Sequence, residues 1–181
     1  MRLSSGLELY NTELMEVIEL CWEWEKGIVD HPKFHSMLII SGPVGCGKTT
    51  ICRRLFRGLQ RELLCENEWT TGPDLCTAAG ACDERLLEDC QNTRLLGIDD
   101  LGAEVDQFGR FAGRLGTLLS TRERRPTIIT TNVPSSKWGS RWDERVQDRM
   151  LRNSLIFEFK ATRSYTMHIA ESGQVTRHNQ K

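Results

Sequence analysis

The sequence predicts an α/β fold in which a mainly parallel, five-stranded sheet is flanked by helices. Short apolar runs typical of buried strands alternate with longer segments whose apolar residues recur every three to four positions, as in amphipathic helices. The clearest strand-like runs are 37–41, 93–102, 126–132 and 153–159. A glycine-rich segment follows the first run, and polar residues end the next two. Ligands bind at the carboxyl ends of parallel strands, so the sequence predicts a ligand site at that edge of the sheet.

The glycine-rich segment at 42–49 reads GPVGCGKT and matches the phosphate-binding pattern G-x-x-x-x-G-K-[ST] at every fixed position. Glycines allow backbone N–H groups to wrap a phosphate, and the N-terminus of the following helix adds partial positive charge. We expect Lys48 to reach the β and γ phosphates and the Thr49 hydroxyl to ligate Mg²⁺. The candidate nucleotide-binding residues are Gly42, Pro43, Val44, Gly45, Cys46, Gly47, Lys48, Thr49 and Thr50.

Asp99 and Asp100 end the second clear strand, and Asn132 ends the third. In phosphate-loop ATPases, a carboxylate at such a strand end holds the Mg²⁺ shell, and the next one orients or deprotonates the attacking water. We therefore expect Asp99 to join Thr49 as a metal-side residue and Asp100 to act as the base. The alternative is that the two aspartates simply open a turn.

The N-terminal region is predicted to contain an amphipathic helix at 12–30, after a flexible lead-in at 1–11. The apolar stripe of this helix follows helical spacing, and Thr12 is a plausible N-cap. Trp24 falls outside the stripe, where a half-buried surface position is expected and a contact with adenine or a neighbouring subunit is the alternative. The residues of the stripe are Leu14, Val17, Ile18, Cys21 and Trp22.

The rest of the chain is predicted to alternate between the two kinds of element. The remaining elements, in order, are a helix at 50–59, a short strand at 62–66, a helix from about Pro73, a helix at 83–90, a helix from about Phe108 and an arginine-rich helical stretch at 136–152.

Composition places the chain among ordinary globular proteins. It has 181 residues, 39% of them hydrophobic and 27% charged, with a net charge of −1. That length favours one domain with a core of its own. No apolar run approaches the roughly 18 residues that span a bilayer, and no signal-type segment follows the N-terminus. We therefore expect a cytoplasmic protein with no membrane partner.

The seven cysteines include no C-x-x-C pair, so neither a disulfide framework nor a zinc site is indicated. Cys46 lies in the phosphate loop close to Lys48, where a lowered pKa and easy oxidation are a hypothesis. Residues 105–155 are rich in arginine, which suits contacts with phosphate or carboxylate groups. These arginines are expected to contact nucleic acid or, equally, the acidic face of a neighbouring subunit.

Four segments together resemble one family. GPVGCGKTT, LLGIDDLG, RERRPTIITTN and DERVQDRMLRNSLIFEF, in that order, are similar to the AAA+ ATPases of the DnaC-type helicase loaders and the IstB-type transposition helpers. The resemblance covers roughly residues 10–165. It implies an AAA+ ATPase domain at 12–171 with a minimal C-terminal lid, followed by a polar tail at 172–181.

The resemblance implies ATP with Mg²⁺ as cofactors, assembly into an open ring or spiral, and contact with single-stranded DNA and a ring helicase or another replication protein. It also implies roles for six residues. Lys48 and Thr49 match Walker A, Asp99 matches the Walker B metal carboxylate, Asn132 matches sensor one, Arg149 matches the arginine finger that acts in trans, and Arg163 is similar in place to the sensor-two arginine.

Two departures from the family pattern leave alternatives open. Asp100 stands where the family usually has glutamate, which predicts slow turnover or a switch-like use of ATP. The roughly 36 residues before the loop are too few for the separate helicase-binding domain of such loaders. Either the helix at 12–30 makes that contact or the partner differs. The alternative functions are a transposition helper, a small phosphate-loop kinase and a non-catalytic ATP-bound adaptor.

Overall fold

A single sheet of five strands organises the chain and confirms the predicted α/β fold. The computed structural model describes the backbone of residues 5–30, 35–106 and 109–160. Neighbouring strands pair in parallel throughout, in the order β2-β3-β4-β1-β5. The strands are β1 Met37–Ser41, β2 Asn67–Thr71, β3 Leu95–Leu101, β4 Thr127–Thr131 and β5 Ser154–Glu158.

Helices cover both faces of this sheet. They are α1 Ser5–Asp30, α2 Lys48–Leu63, α3 Gly72–Ala81, α4 Glu84–Asn92, α5 Arg110–Thr121, α6 Trp138–Arg141 and α7 Glu144–Leu151, with a 3-10 turn at Ser135–Lys137 before α6. Within the described ranges, no helix combines the length and the hydropathy that a membrane span requires. The predicted lid and the polar tail at 172–181 lie outside the described residues, as does Phe108.

The alternation of side chains along β1 divides the core into two layers. Leu38 and Ile40 pack with residues of α1 and α2, whereas Met37 and Ile39 pack with α3, α4, α5 and α7. All five residues of β1 are buried, as expected for a central strand covered on both faces. This is why the strand has a continuous apolar run rather than alternating polarity.

The α1 helix differs from its prediction in length and in rotation. It begins at Ser5, so the lead-in predicted at 1–11 is wrong for residues 5–11, and Thr12 lies inside the helix. Trp24 is 1% exposed and donates its indole N–H to the His35 carbonyl oxygen at 2.6 Å. Trp22, a member of the predicted apolar stripe, is 60% exposed. The helix therefore turns its largest ring into the core.

The second strand lies five residues later than predicted. Residues 62–63 still belong to α2, which ends before Leu64 in a left-handed conformation (φ 44°). β2 is Asn67–Thr71, an edge strand whose residues are mostly half-buried. Its polarity is what hid it, because an edge strand needs fewer apolar residues than a central one.

At least one arginine of the arginine-rich region 105–155 lies in the core, namely Arg122. Its guanidinium is fully buried and donates to five oxygen atoms, four of them main-chain carbonyls. Burial lowers its pKa to about 10. Because these acceptors lie between α4 and the starts of β3 and β4, Arg122 joins these elements and is unavailable to a phosphate partner.

Candidate nucleotide-binding site

The glycine-rich loop connects β1 directly to α2 and curls around the side chain of Lys48. Gly45 and Gly47 adopt left-handed φ values of 79° and 91°, which favour glycine. Lys48 is 5% exposed, and its ammonium donates to the carbonyl oxygens of Gly42 at 2.8 Å and Pro43 at 2.9 Å. The loop therefore holds a buried cation at the N-terminus of a helix, an arrangement suited to an anion.

Asp99 lies beside the first turn of α2, as predicted for a metal-side residue. The Thr49 hydroxyl donates to its Oδ1 atom at 2.9 Å, and the Thr130 hydroxyl donates to the same atom at 2.5 Å. Among the described residues, no group of three or more His, Cys, Asp or Glu side chains clusters as a metal site. Mg²⁺ typically uses one or two protein oxygens together with waters and phosphates, so Thr49 and Asp99 fit that ion.

Asp100 lies in a bulge that the sequence did not reveal. The pairing of β3 with β4 shifts between Ile98 and Leu101, and Asp100 has a φ of 51°. Its N–H donates to the Thr130 hydroxyl at 2.9 Å instead of continuing the ladder. A bulge re-aims the side chain at its centre, and aspartate tolerates the left-handed region better than most residues. The Asp100 carboxylate is half-buried at the carboxyl edge of the sheet.

Asn132 connects the glycine-rich loop with Asp100. Its Oδ1 atom accepts from the Lys48 ammonium at 2.8 Å, and its amide nitrogen lies 3.4 Å from Oδ1 of Asp100. The structure therefore brings Lys48, Thr49, Asp99, Asp100 and Asn132 together from three separate segments of the chain.

The chain is similar to known proteins in sequence and in structure. No protein-family model matches the chain. The replicative helicase loader DnaC of Escherichia coli K12 is 31% identical over 136 residues, which cover 70% of this chain and 56% of DnaC. A crystal structure of the DnaC helicase loader has a TM-score of 0.66 at 20% identity, covering 83% of this chain and 90% of the other.

The chain resembles the DnaC-type AAA+ ATPases in sequence and in fold.

The similarity to DnaC supports the resemblance predicted from the four sequence segments. The chain spans about half the length of the curated relatives it matches. The replication initiator DnaA bound to AMPPCP and single-stranded DNA has a TM-score of 0.65 at 15% identity, over 85% of this chain and 50% of the other. At that identity the likeness shows the fold alone.

Arg149 lies away from the glycine-rich loop. Its guanidinium pairs with Glu123 at 2.6 Å and lies 3.7 Å from a carboxylate oxygen of Asp148. α7 ends three residues before β5, and the first residue of β5 pairs with Met37 at the start of β1. Arg149 is therefore near the opposite end of the strands from Lys48. A five-residue strand such as β5 spans about 16 Å. Arg163 lies outside the described residues.

The hypothesis that Cys46 is a reactive thiol with a lowered pKa is wrong. Its side chain is fully buried, and its sulfur accepts from the Lys48 ammonium at 3.8 Å. Burial raises the pKa of this thiol, outweighing the opposite effect of Lys48. The sequence placed the thiol beside a cation but could not show that the loop encloses it.

A groove of about 660 Å³ runs between α1 and α2, beside the start of the loop helix. Leu14, Ile18 and Trp22 line it from α1, and Thr50 and Ile51 line it from α2. The sequence prediction considered Trp24 for a contact with adenine, but the structure buries that ring and places Trp22 at the groove instead. The two tryptophans differ by about 200° around the helix, so an error of two positions reverses the assignment.

Proposed function

We propose that this protein is a cytoplasmic DNA-replication accessory factor that binds Mg·ATP, hydrolyses it slowly, and loads or remodels a ring helicase on single-stranded DNA. The observation that carries this proposal is the meeting of Lys48, Asp99 and Asn132 at the carboxyl ends of three adjacent strands. The sequence similarity to a helicase loader supports the choice of biological process.

The triphosphate is proposed to lie on the glycine loop. Its β and γ phosphates would replace the carbonyl oxygens of Gly42 and Pro43 as partners of the Lys48 ammonium. Thr49 and Asp99 would hold Mg²⁺, which neutralises charge on the phosphates. The apolar groove between α1 and α2 adjoins Thr50 at the start of the loop helix, where it would receive the base.

Hydrolysis is proposed to depend on Asp100 and Asn132. The Asp100 carboxylate would accept a proton from the attacking water, and the Asn132 amide, 3.4 Å away, would help to orient that water. The short aspartate side chain must reach the water from a half-buried position. Turnover is therefore expected to be slow.

Arg149 is proposed to act on the nucleotide of a neighbouring copy in a ring or spiral. It lies too far along the strands to serve the site of its own chain, which is what a finger in trans requires. To engage a neighbour it must leave Glu123, and an exposed ion pair of this kind contributes only about 0–1 kcal/mol. Arg163 would complete the site from the lid.

Helix α1 is proposed to contact the helicase. Met15, Trp22 and Val29 are each more than half exposed and are seven residues apart, so they share one face of the helix. This helix has seven acidic residues and one basic residue. A basic, amphipathic helix of the partner would match both these three exposed apolar side chains and the negative charge of α1. Single-stranded DNA is proposed to bind exposed arginines such as Arg124 and Arg145.

Helicase loading on circular single-stranded DNA coated with binding protein tests this function. The replicative helicase from the source cells is added with ATP and either the natural chain or Lys48→Ala, and unwinding of an annealed oligonucleotide is measured. Only the natural chain should start unwinding, because the variant lacks the charge that holds the phosphates. Equal unwinding with and without the natural chain would contradict the loading function. Unwinding that requires ATP binding but no hydrolysis would favour the non-catalytic adaptor.

A further inference from the structure

The backbone that presents Asp99 and Asp100 is irregular and needs support from side chains. Asp100 and Gly102 have φ values of 51° and 99°, and the ladder to β4 is interrupted between Ile98 and Leu101. Strand pairing therefore cannot by itself fix the direction of the Asp100 carboxylate. Residues outside the ladder must do so.

Glu104 supplies one such support from the loop after β3. Its side chain is 1% exposed, and its Oε2 atom accepts the Gly102 N–H at 2.6 Å. A Cβ atom on Gly72, at the start of α3, would lie 2.8 Å from the same carboxylate oxygen and 3.1 Å from the Asp100 carbonyl oxygen. The carboxylate is thus packed directly against the backbone of the bulge and the first turn of α3.

Arg141 supplies the charge that this buried carboxylate needs. Its Nη2 atom donates to Glu104 Oε1 at 2.9 Å, to the Glu104 carbonyl at 2.6 Å and to the Gly102 carbonyl at 3.2 Å. Arg141 ends α6, which follows the exit of the chain from Asn132. One guanidinium therefore joins the loop after Asp100 to the segment after Asn132.

We infer that Glu104 and Arg141 form a positioning pair that holds the Asp100 bulge in register with Asn132. This inference rests on the proposed function for its catalytic consequence. The pair touches neither the glycine loop nor Lys48 in the described contacts, so it acts on the geometry of hydrolysis and not on retention of the nucleotide. Displacement of a catalytic group by about 1 Å can reduce a rate by as much as 100-fold.

Steady-state hydrolysis of Mg·ATP by the full chain tests the pair. Glu104→Ala should lower kcat on the order of 10-fold while KM changes less than about twofold, because only the hydrolytic side of the site moves. Glu104→Gln keeps the size of the side chain but only one of the two acceptor oxygens, so it can accept from Gly102 or from Arg141 but not from both, and it should restore part of the rate. Glu84→Ala is the matched control, since Glu84 forms an exposed ion pair with Arg114 and should leave both constants unchanged.

Hydrogen exchange measured by mass spectrometry separates this inference from the proposed function. Glu104→Ala should speed amide exchange in residues 99–106 by about 10-fold and leave residues 42–52 unchanged. If the natural chain hydrolyses no ATP, the hydrolysis proposal fails, and exchange still decides whether the pair holds the bulge. Arg141→Lys, which keeps the charge but loses the planar fork, serves if Glu104→Ala does not fold, with the same direction expected. Unchanged exchange at 99–106, or a rise in KM that matches the fall in kcat, would overturn the inference.

Discussion

Replacing Asp100 with glutamate separates the reach of the carboxylate from the conformation of the backbone. The residue has a φ of 51°, a region that aspartate and asparagine tolerate because their short side chains bond locally. Glutamate adds one methylene group, about 1.5 Å of reach, but lacks that local compensation. The substitution should therefore bring the base closer to the attacking water and strain the bulge at the same time.

Stability and turnover should change in opposite directions in Asp100→Glu. Left-handed backbone costs an ordinary residue roughly 1–2 kcal/mol, so Asp100→Glu should lower the free energy of unfolding by about 1 kcal/mol. For a chain of this size the melting temperature should fall by about 2–4 °C. Turnover should rise several-fold if the reach of the base limits the rate, since each 1.36 kcal/mol in the barrier is a factor of ten.

Asp100→Asn is the matched control for this experiment. Asparagine is nearly isosteric and equally tolerant of positive φ, so stability should be retained while the base is lost. The assays are phosphate release under saturating Mg·ATP and thermal unfolding of the same samples. The reasoning would be refuted if glutamate slowed turnover in a folded protein or if asparagine hydrolysed ATP at the natural rate.

Three further predictions concern stability and reactivity. Arg122→Met should lower the free energy of unfolding by more than about 3 kcal/mol in denaturant titration, because it removes a buried donor that bonds to five oxygen atoms, among them the carbonyls of Cys90 and Thr93. A loss below about 1 kcal/mol would contradict its linking role. Gly97→Ala should destabilise the chain by about 1–3 kcal/mol, because the added Cβ would lie 2.2 Å from a carbon of the Trp69 indole. Gly113→Ala, at a helix position with open space around it, should instead stabilise the chain by about 0.5–1 kcal/mol, and equal effects of the two substitutions would exclude this packing argument. Because Cys46 is buried and its pKa is raised, it should react with iodoacetamide far more slowly than exposed Cys82 at pH 8, and its reaction should become faster as the pH rises toward its pKa. Labelling is measured by peptide mapping, and equal labelling of the two cysteines at pH 8 would show that the loop opens.

The main elements of the site were predictable because its chemistry follows buried strands directly in the chain. An apolar run before the glycine loop and another before Asp99 identify two parallel strands, and parallel strands present their ends at the same edge. The residue types then indicate the ligand, since a lysine in a glycine loop and a strand-end carboxylate suit a triphosphate and its metal. The order of these residues after three strand-like runs, together with their residue types, was therefore enough to place Lys48, Asp99 and Asn132 together.

What the sequence could not show depends on contacts between distant segments. The rotation of α1 that buries Trp24 and exposes Trp22 is decided by the space available beside β1 and α2. The bulge at Asp100 depends on hydroxyl groups of β4, which no local pattern in β3 reveals. The Glu104 carboxylate resembles an ordinary loop residue until its partner from α6 is known.

Isothermal titration of the protein with ATP in the presence of magnesium tests the central claim most directly. The account predicts one saturable site per chain in the natural protein, and loss of that binding in Lys48→Ala with the fold intact by circular dichroism. Binding of equal affinity in Lys48→Ala, or no heat of binding in the natural protein, would contradict a triphosphate site built from the glycine loop, the aspartates and Asn132.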